Sequence, residues 1–180
     1  MIKFDLNKQR HNIQIAFSDV PRPKDIDAWN NGQHEDHPFI AFVETYKSWQ
    51  DISEEEFDRA PGQVGEIFLN RLTPEGYAYY TPLLLTRALS IKPSAFTSNE
   101  LLYSFSPPEC REIIEPASDA QKLEFLKKME LFTSPQKTAI ADVFDFMSFS
   151  QMDWNARQAF EGYWHQFATR QPEIWEPWIK

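Results

Sequence analysis

Leu72-Thr73-Pro74-Glu75-Gly76-Tyr77-Ala78-Tyr79-Tyr80-Thr81-Pro82-Leu83-Leu84-Leu85 joins a helix-start signal to a dense aromatic and aliphatic run. Thr73 offers a hydroxyl to the free N–H groups of a helix start. Pro74 supplies a fixed φ where no N–H is needed, and Glu75 suits the positive end of the helix dipole. Tyr77, Tyr80, Leu84 and Ala88 follow at helical spacing, and Leu83-Leu84-Leu85 is apolar nearly all round. Such a segment predicts a central helix buried on several sides. Pro82 falls inside it, where the lost hydrogen bond and the ring's clash with the preceding turn predict a kink.

Working outward, Asp5 to Phe17 predicts an amphipathic helix with Leu6, Ile13 and Phe17 on one face. Val20-Pro21-Arg22-Pro23 ends it, because the residue before a proline is pushed out of the helical region. An irregular stretch over 19–38 follows. Phe39, Phe42, Val43 and Tyr46 predict a second helix ending near Trp49. Ser53-Glu54-Glu55-Glu56 is a capping box, which starts a helix that Pro61-Gly62 interrupts. Val64 to Leu72 suits a further turn or two of helix, and Glu100 to Phe105 suits either a short helix or an extended segment. Ser118 or Asp119 starts a helix carrying Leu123, Phe125 and Leu126. Thr133-Ser134-Pro135-Gln136 repeats the cap-then-proline logic ahead of Ile140, Val143, Phe144 and Met147. Asp153 caps a last helix with Ala156, Phe160, Trp164 and Phe167 in phase, and 170–180 reads as an extended tail. The sum is about seven short-to-medium helices in one all-α domain spanning residues 1–180, with no alternating strands and no fixed-period repeat.

Composition agrees. Aromatic residues are 15 % of the chain, enough to build a core and to exclude whole-chain disorder. Only 5 glycines are present, which argues against hairpin-rich β architecture and glycine-rich phosphate loops. The net charge of −9 repels nucleic-acid phosphates and would attract a basic protein, although acidity also serves plain solubility. One cysteine, Cys110, allows no intramolecular disulfide. No run approaches the length of a membrane span and the opening residues carry no signal-peptide pattern, so the expected location is the cytoplasm.

Three segments together resemble a family of uncharacterised bacterial proteins, a domain of unknown function. They are Leu72 to Pro82, Leu101-Leu102-Tyr103-Ser104-Phe105-Ser106-Pro107-Pro108, and Phe132-Thr133-Ser134-Pro135-Gln136-Lys137-Thr138-Ala139-Ile140. The resemblance extends from the first helix to near residue 167. It implies a helical fold and no established activity. Members of that family often carry His, Cys and acidic residues before the second helix. Here the region reads His34-Glu35-Asp36-His37, without cysteines.

His34 and His37 are the candidate metal ligands, since imidazoles and nearby carboxylates suit zinc or iron. Their three-residue spacing is not the zincin pattern, and Pro38 follows at once, so a solvated loop is the favoured explanation of them. Cys110 with His165 as base is a weaker catalytic candidate. A lone cysteine beside Pro107-Pro108 reads more simply as a small apolar filler, and His165 as a partly buried helix residue. The acids of 53–58 are accounted for by capping, without any tuning of carboxylates for acid–base work. Trp175 and Trp178 are candidate contact residues, because indoles dominate interface hot spots and chain ends seldom lie deep in a core.

These readings point to a non-enzymatic, cofactor-free protein-binding module. Its sharpest form is an immunity or antitoxin-like protein that neutralises a basic toxin domain. The expected contact residues are Asp51, Glu54, Glu55 and Asp58, with Trp175 and Trp178. The alternatives are a metal-binding protein or metal-dependent enzyme using His34 and His37, and a homodimeric structural protein.

Overall fold

Thr73 does cap the central helix. Its hydroxyl accepts from the Gly76 N–H at 3.3 Å, and the helix runs from Pro74 to Ala88. The computed structural model describes residues 4–24, 38–60, 69, 72–90, 95–110 and 117–170. Within them lie α1 (Leu6–Ala16), α2 (Pro38–Glu44), α3 (Glu54–Asp58), α4 (Pro74–Ala88), α5 (Ala95–Phe105), α6 (Asp119–Met129), α7 (Ser134–Ser150) and α8 (Trp154–Gly162). Short 3-10 turns cover Trp49–Asp51, Pro108–Cys110 and Trp164–Phe167, and the described residues contain no strand. The protein is an all-α domain.

Helix α4 continues through Pro82. The hydroxyl of Thr81 donates to the Tyr77 carbonyl and that of Thr86 to the Pro82 carbonyl, each at 2.8 Å. Tyr77, Tyr79, Tyr80 and Leu83 to Leu85 are all buried, as their nearly all-round apolar pattern requires. The far end of the helix is closed by side chains from elsewhere. Gln151 donates to the Ala88 and Ser90 carbonyls and Arg10 to that of Leu89, so the last free carbonyls find partners.

Helix α7 is the second axis. Its Ile140, Val143, Phe144 and Met147 face is completely buried, and it packs against α1, α4, α8 and the Trp164–Phe167 turn. Between α4 and α7 sits an aromatic cluster. Phe105 lies 5.4 Å from Tyr77, 5.8 Å from Phe132 and 6.2 Å from Trp164, centroid to centroid. Trp164 stacks on Phe144 and donates its indole N–H to the Phe105 carbonyl at 2.7 Å, so its one polar atom is satisfied in the dry core.

Three expectations need correction, and one open reading is settled. The second helix stops at Glu44, where the Thr45 hydroxyl folds back onto the Phe42 carbonyl, and a separate capped turn holds Trp49. The last helix stops at Gly162. Tyr163, at φ −146°, leaves helical geometry, and Trp164 to Phe167 continue as a 3-10 turn. In α6 only Phe125 and Met129 point inward, leaving Leu123 and Leu126 exposed on its outer side. The ambiguous segment ending at Phe105 is helix, with Leu101 and Phe105 buried.

Candidate functional site

The acidic segment expected to meet a partner folds as two capped turns. Ser48 starts the first. Its hydroxyl accepts from the Gln50 N–H at 3.2 Å, and the Asp51 carboxylate accepts from the Ser48 N–H at 3.0 Å. Ser53 starts α3 in the same reciprocal way with Glu56, at 3.2 and 2.9 Å. Each serine and acid therefore satisfies helix-start N–H groups that no backbone carbonyl reaches.

Buried anchors hold the segment to the body. Trp49, Ile52 and Phe57 are all in the core. From α4, Arg87 donates to the Ile52 carbonyl and lies 5.6 Å from the centre of the Phe57 ring. An acidic ribbon that could have been a loose loop is thus fixed from beneath by one guanidinium and three apolar side chains.

Asp51, Glu55 and Asp58 are exposed above these anchors. Glu54 is the first residue of α3, its side chain lying outside the described set. Beside them opens a cavity of about 520 Å³ lined by Phe42, Ser53, Glu55, Glu56 and Arg59. Phe42 supplies an aromatic wall and meets Tyr46 edge-on at 5.2 Å. Arg59 pairs with Glu55 at 2.7 Å, but both are largely in solvent, so the pair adds little stability. Between Glu44 and Arg59 the sequence places six carboxylates against two cations.

The ionisation states follow from these contacts. The Ser53 hydroxyl and N–H hold the Glu56 carboxyl below its ordinary range, helped by the Tyr46 hydroxyl. Partial burial raises Tyr46, as do its bond to Glu56 and that residue's charge. Glu44 is raised by burial against the opposing charge of Arg22. Arg22 in turn donates to the Lys47 and Glu44 carbonyls at 3.0 and 3.4 Å, tying the end of α2 to the chain that leaves α1.

The structure thus gathers Asp51, Glu55 and Asp58 onto one anchored segment and adds Phe42, Glu56 and Arg59, which were not among the expected contact residues. Arg59 was legible as the i+4 partner of Glu55. Phe42 was not, because a helical aromatic reads as core. His34, His37, Trp175 and Trp178 lie outside the described residues. Cys110 ends the Pro108–Cys110 turn, half-buried. Burial and the neighbouring Glu109 push its thiol up, away from the reactive thiolate. His165 is exposed, against the expectation of partial burial, because the break at Tyr163 turns it outward. Among the described residues no three or more His, Cys, Asp or Glu side chains gather as metal ligands, and no helix is long and apolar enough to cross a membrane.

No family model matches this chain, and no curated protein or solved structure matches it. The resemblance drawn from the helix-start motifs therefore adds no functional argument to the geometry.

Proposed function

We propose that this chain is a cytoplasmic, non-enzymatic protein-binding module that grips a basic partner through the face built on α2, the Trp49–Asp51 turn and α3. In its sharpest form it is an immunity or antitoxin-like protein covering a basic toxin domain. One observation carries the reading: exposed carboxylates pre-fixed on a buried scaffold, around an open cavity with an aromatic wall. A guanidinium or ammonium entering that cavity would meet the Phe42 ring and the Glu55 and Glu56 carboxylates, the chemistry that suits a cation. Rigidity matters because little conformational freedom remains to be lost on binding. The overall charge of −9 would speed encounter with a basic surface.

The test is affinity capture from native lysate with the tagged wild-type protein and with a triple variant, Asp51→Lys, Glu55→Lys and Asp58→Lys. The proposal expects a stoichiometric basic protein on the wild type at low salt, lost at high salt and absent from the variant. Equal capture by both proteins would refute this face as the contact, and no basic partner at either salt would refute the binding reading.

A further inference from the structure

The two ends of the described chain meet on α7. From the C-terminal turn, the Thr169 N–H donates to Asp142 Oδ1 and its hydroxyl to Asp142 Oδ2, each at 2.8 Å. The next residue, Arg170, donates to Asp145 Oδ1. Its guanidinium also lies 4.5 Å from the centre of the Phe149 ring and 5.4 Å from that of Phe4. Phe4 in turn meets Phe146 of α7 edge-on at 5.4 Å. Arg170 is therefore shared between the two ends of the described chain, paired with a carboxylate below and flanked by the Phe4 and Phe149 rings.

Asp145 is 3 % exposed, so water does not screen this pair. It interrupts the apolar run Phe144-Asp145-Phe146 on a largely buried helix, a costly place for a carboxylate. We propose that Arg170, Asp145 and Asp142 form a pH-sensitive latch that fastens Phe4 and the Ala168–Arg170 turn to α7 and opens on acidification.

The sign follows from reciprocity. Burial raises the Asp145 carboxyl to about 6, while the charge and hydrogen bond of Arg170 pull it down and the charge of Asp142 pushes it up. Since Arg170 favours the ionised carboxylate, protonating it weakens that pair, and this drives opening when Asp145 stays buried on α7 after Arg170 leaves. Asp142 is raised too, by burial first, against its bonds from Thr169 and the charges of Arg170 and of Lys8 on α1. Among the described residues Arg170 and Lys8 are the cations that act on the two carboxylates, so both would lose their counter-charges in the same direction. The latch is independent of the acidic face, which lies on other elements.

Hydrogen exchange of the full chain, read by mass spectrometry at pH 7.4 and 5.4 and corrected for intrinsic rates, tests it. The wild type is expected to lose about tenfold in protection over Phe4–Gln9 and Ala168–Arg170 at the lower pH, with α7 unchanged. Asp145→Asn, which mimics the protonated acid, is expected to show the open pattern at both pH values. Arg170→Met keeps an apolar stem between the rings without charge and is expected to lose the pH response. Unchanged wild-type protection at both ends would overturn the proposal, with no variant needed. A pH response in Arg170→Met equal to the wild type's would do the same.

Discussion

Gly162 and Cys110 allow a test in which the same substitution should change sign with its background. A Cβ placed on Gly162 would fall 2.6 Å from the Cys110 sulfur, while the next atom, Pro107 Cγ, is 4.0 Å away. Even carbon pairs sit best at about 3.5–4.0 Å, so the alanine methyl would overlap one atom only. That sulfur is separated by a single rotatable bond from a backbone held by the Cys110 N–H donating to the Pro107 carbonyl at 2.9 Å, beside two buried prolines. It cannot swing away as the end of a long chain could. Gly162→Ala should therefore cost about 1–3 kcal/mol, the usual cost of overpacking. In a Cys110→Ala chain the obstacle is gone. There the same substitution should stabilise by up to about 1 kcal/mol, because alanine is the better helix residue at the end of α8. Urea unfolding of the four chains, followed by far-UV circular dichroism, reads both signs as midpoint shifts at constant slope. An equal cost of Gly162→Ala in both backgrounds, or a stabilised native one, would refute the clash between the Gly162 methyl and the Cys110 sulfur.

Three further outcomes follow from the core and the caps. Trp164→Phe should cost about 1–3 kcal/mol by urea unfolding, because the buried Phe105 carbonyl loses its donor; a neutral result would mean that another donor replaces the indole. Thr73→Ala should lower stability by about 0.5–2 kcal/mol, with the loss recovered by Ser or Asp at that position. Asp145 sets the pH response of global stability. Its folded carboxyl is raised to about 6 from an ordinary 3.8, so its contribution is fully present below about pH 4 and is lost as pH rises through 6. The stability of wild type relative to Asp145→Asn should fall across that window, by on the order of 1–3 kcal/mol. This response opposes that of the local latch, since burial of Asp145 governs the first and its pairing with Arg170 the second. Unfolding and exchange measurements should accordingly move in opposite directions with pH.

The helix starts were open to sequence reading because each is a local event. Thr73, Ser53, Ser118 and Asp153 all cap the helices expected of them, each accepting from an N–H three residues on. Core faces with a strong period were legible too, as the burial of Ile140, Val143, Phe144 and Met147 shows. Weakly amphipathic segments were not. Leu123 and Leu126 lie within the same turn as Phe125, and only the placement of α6 beside Tyr163 decides that Phe125 turns inward. The helix end at Glu44 was missed because no glycine or proline follows as a stop signal and the break comes from Thr45, whereas Gly162 was itself a stop signal that the in-phase Trp164 and Phe167 masked.

The all-α class, the capped starts and the acidity of residues 51–58 were written locally, since composition, period and hydrogen-bonding side chains act within a few residues. Only the tertiary structure decided that Arg87 reaches under the acidic ribbon, 35 residues away, and makes it a fixed face. It also decided that Arg170 finds Asp145 across 25 residues and shares itself with Phe4 at the other end of the described chain. Those contacts depend on how helices stack, and a guanidinium's partner is set by which carbonyl, carboxylate or ring the packing brings within its reach.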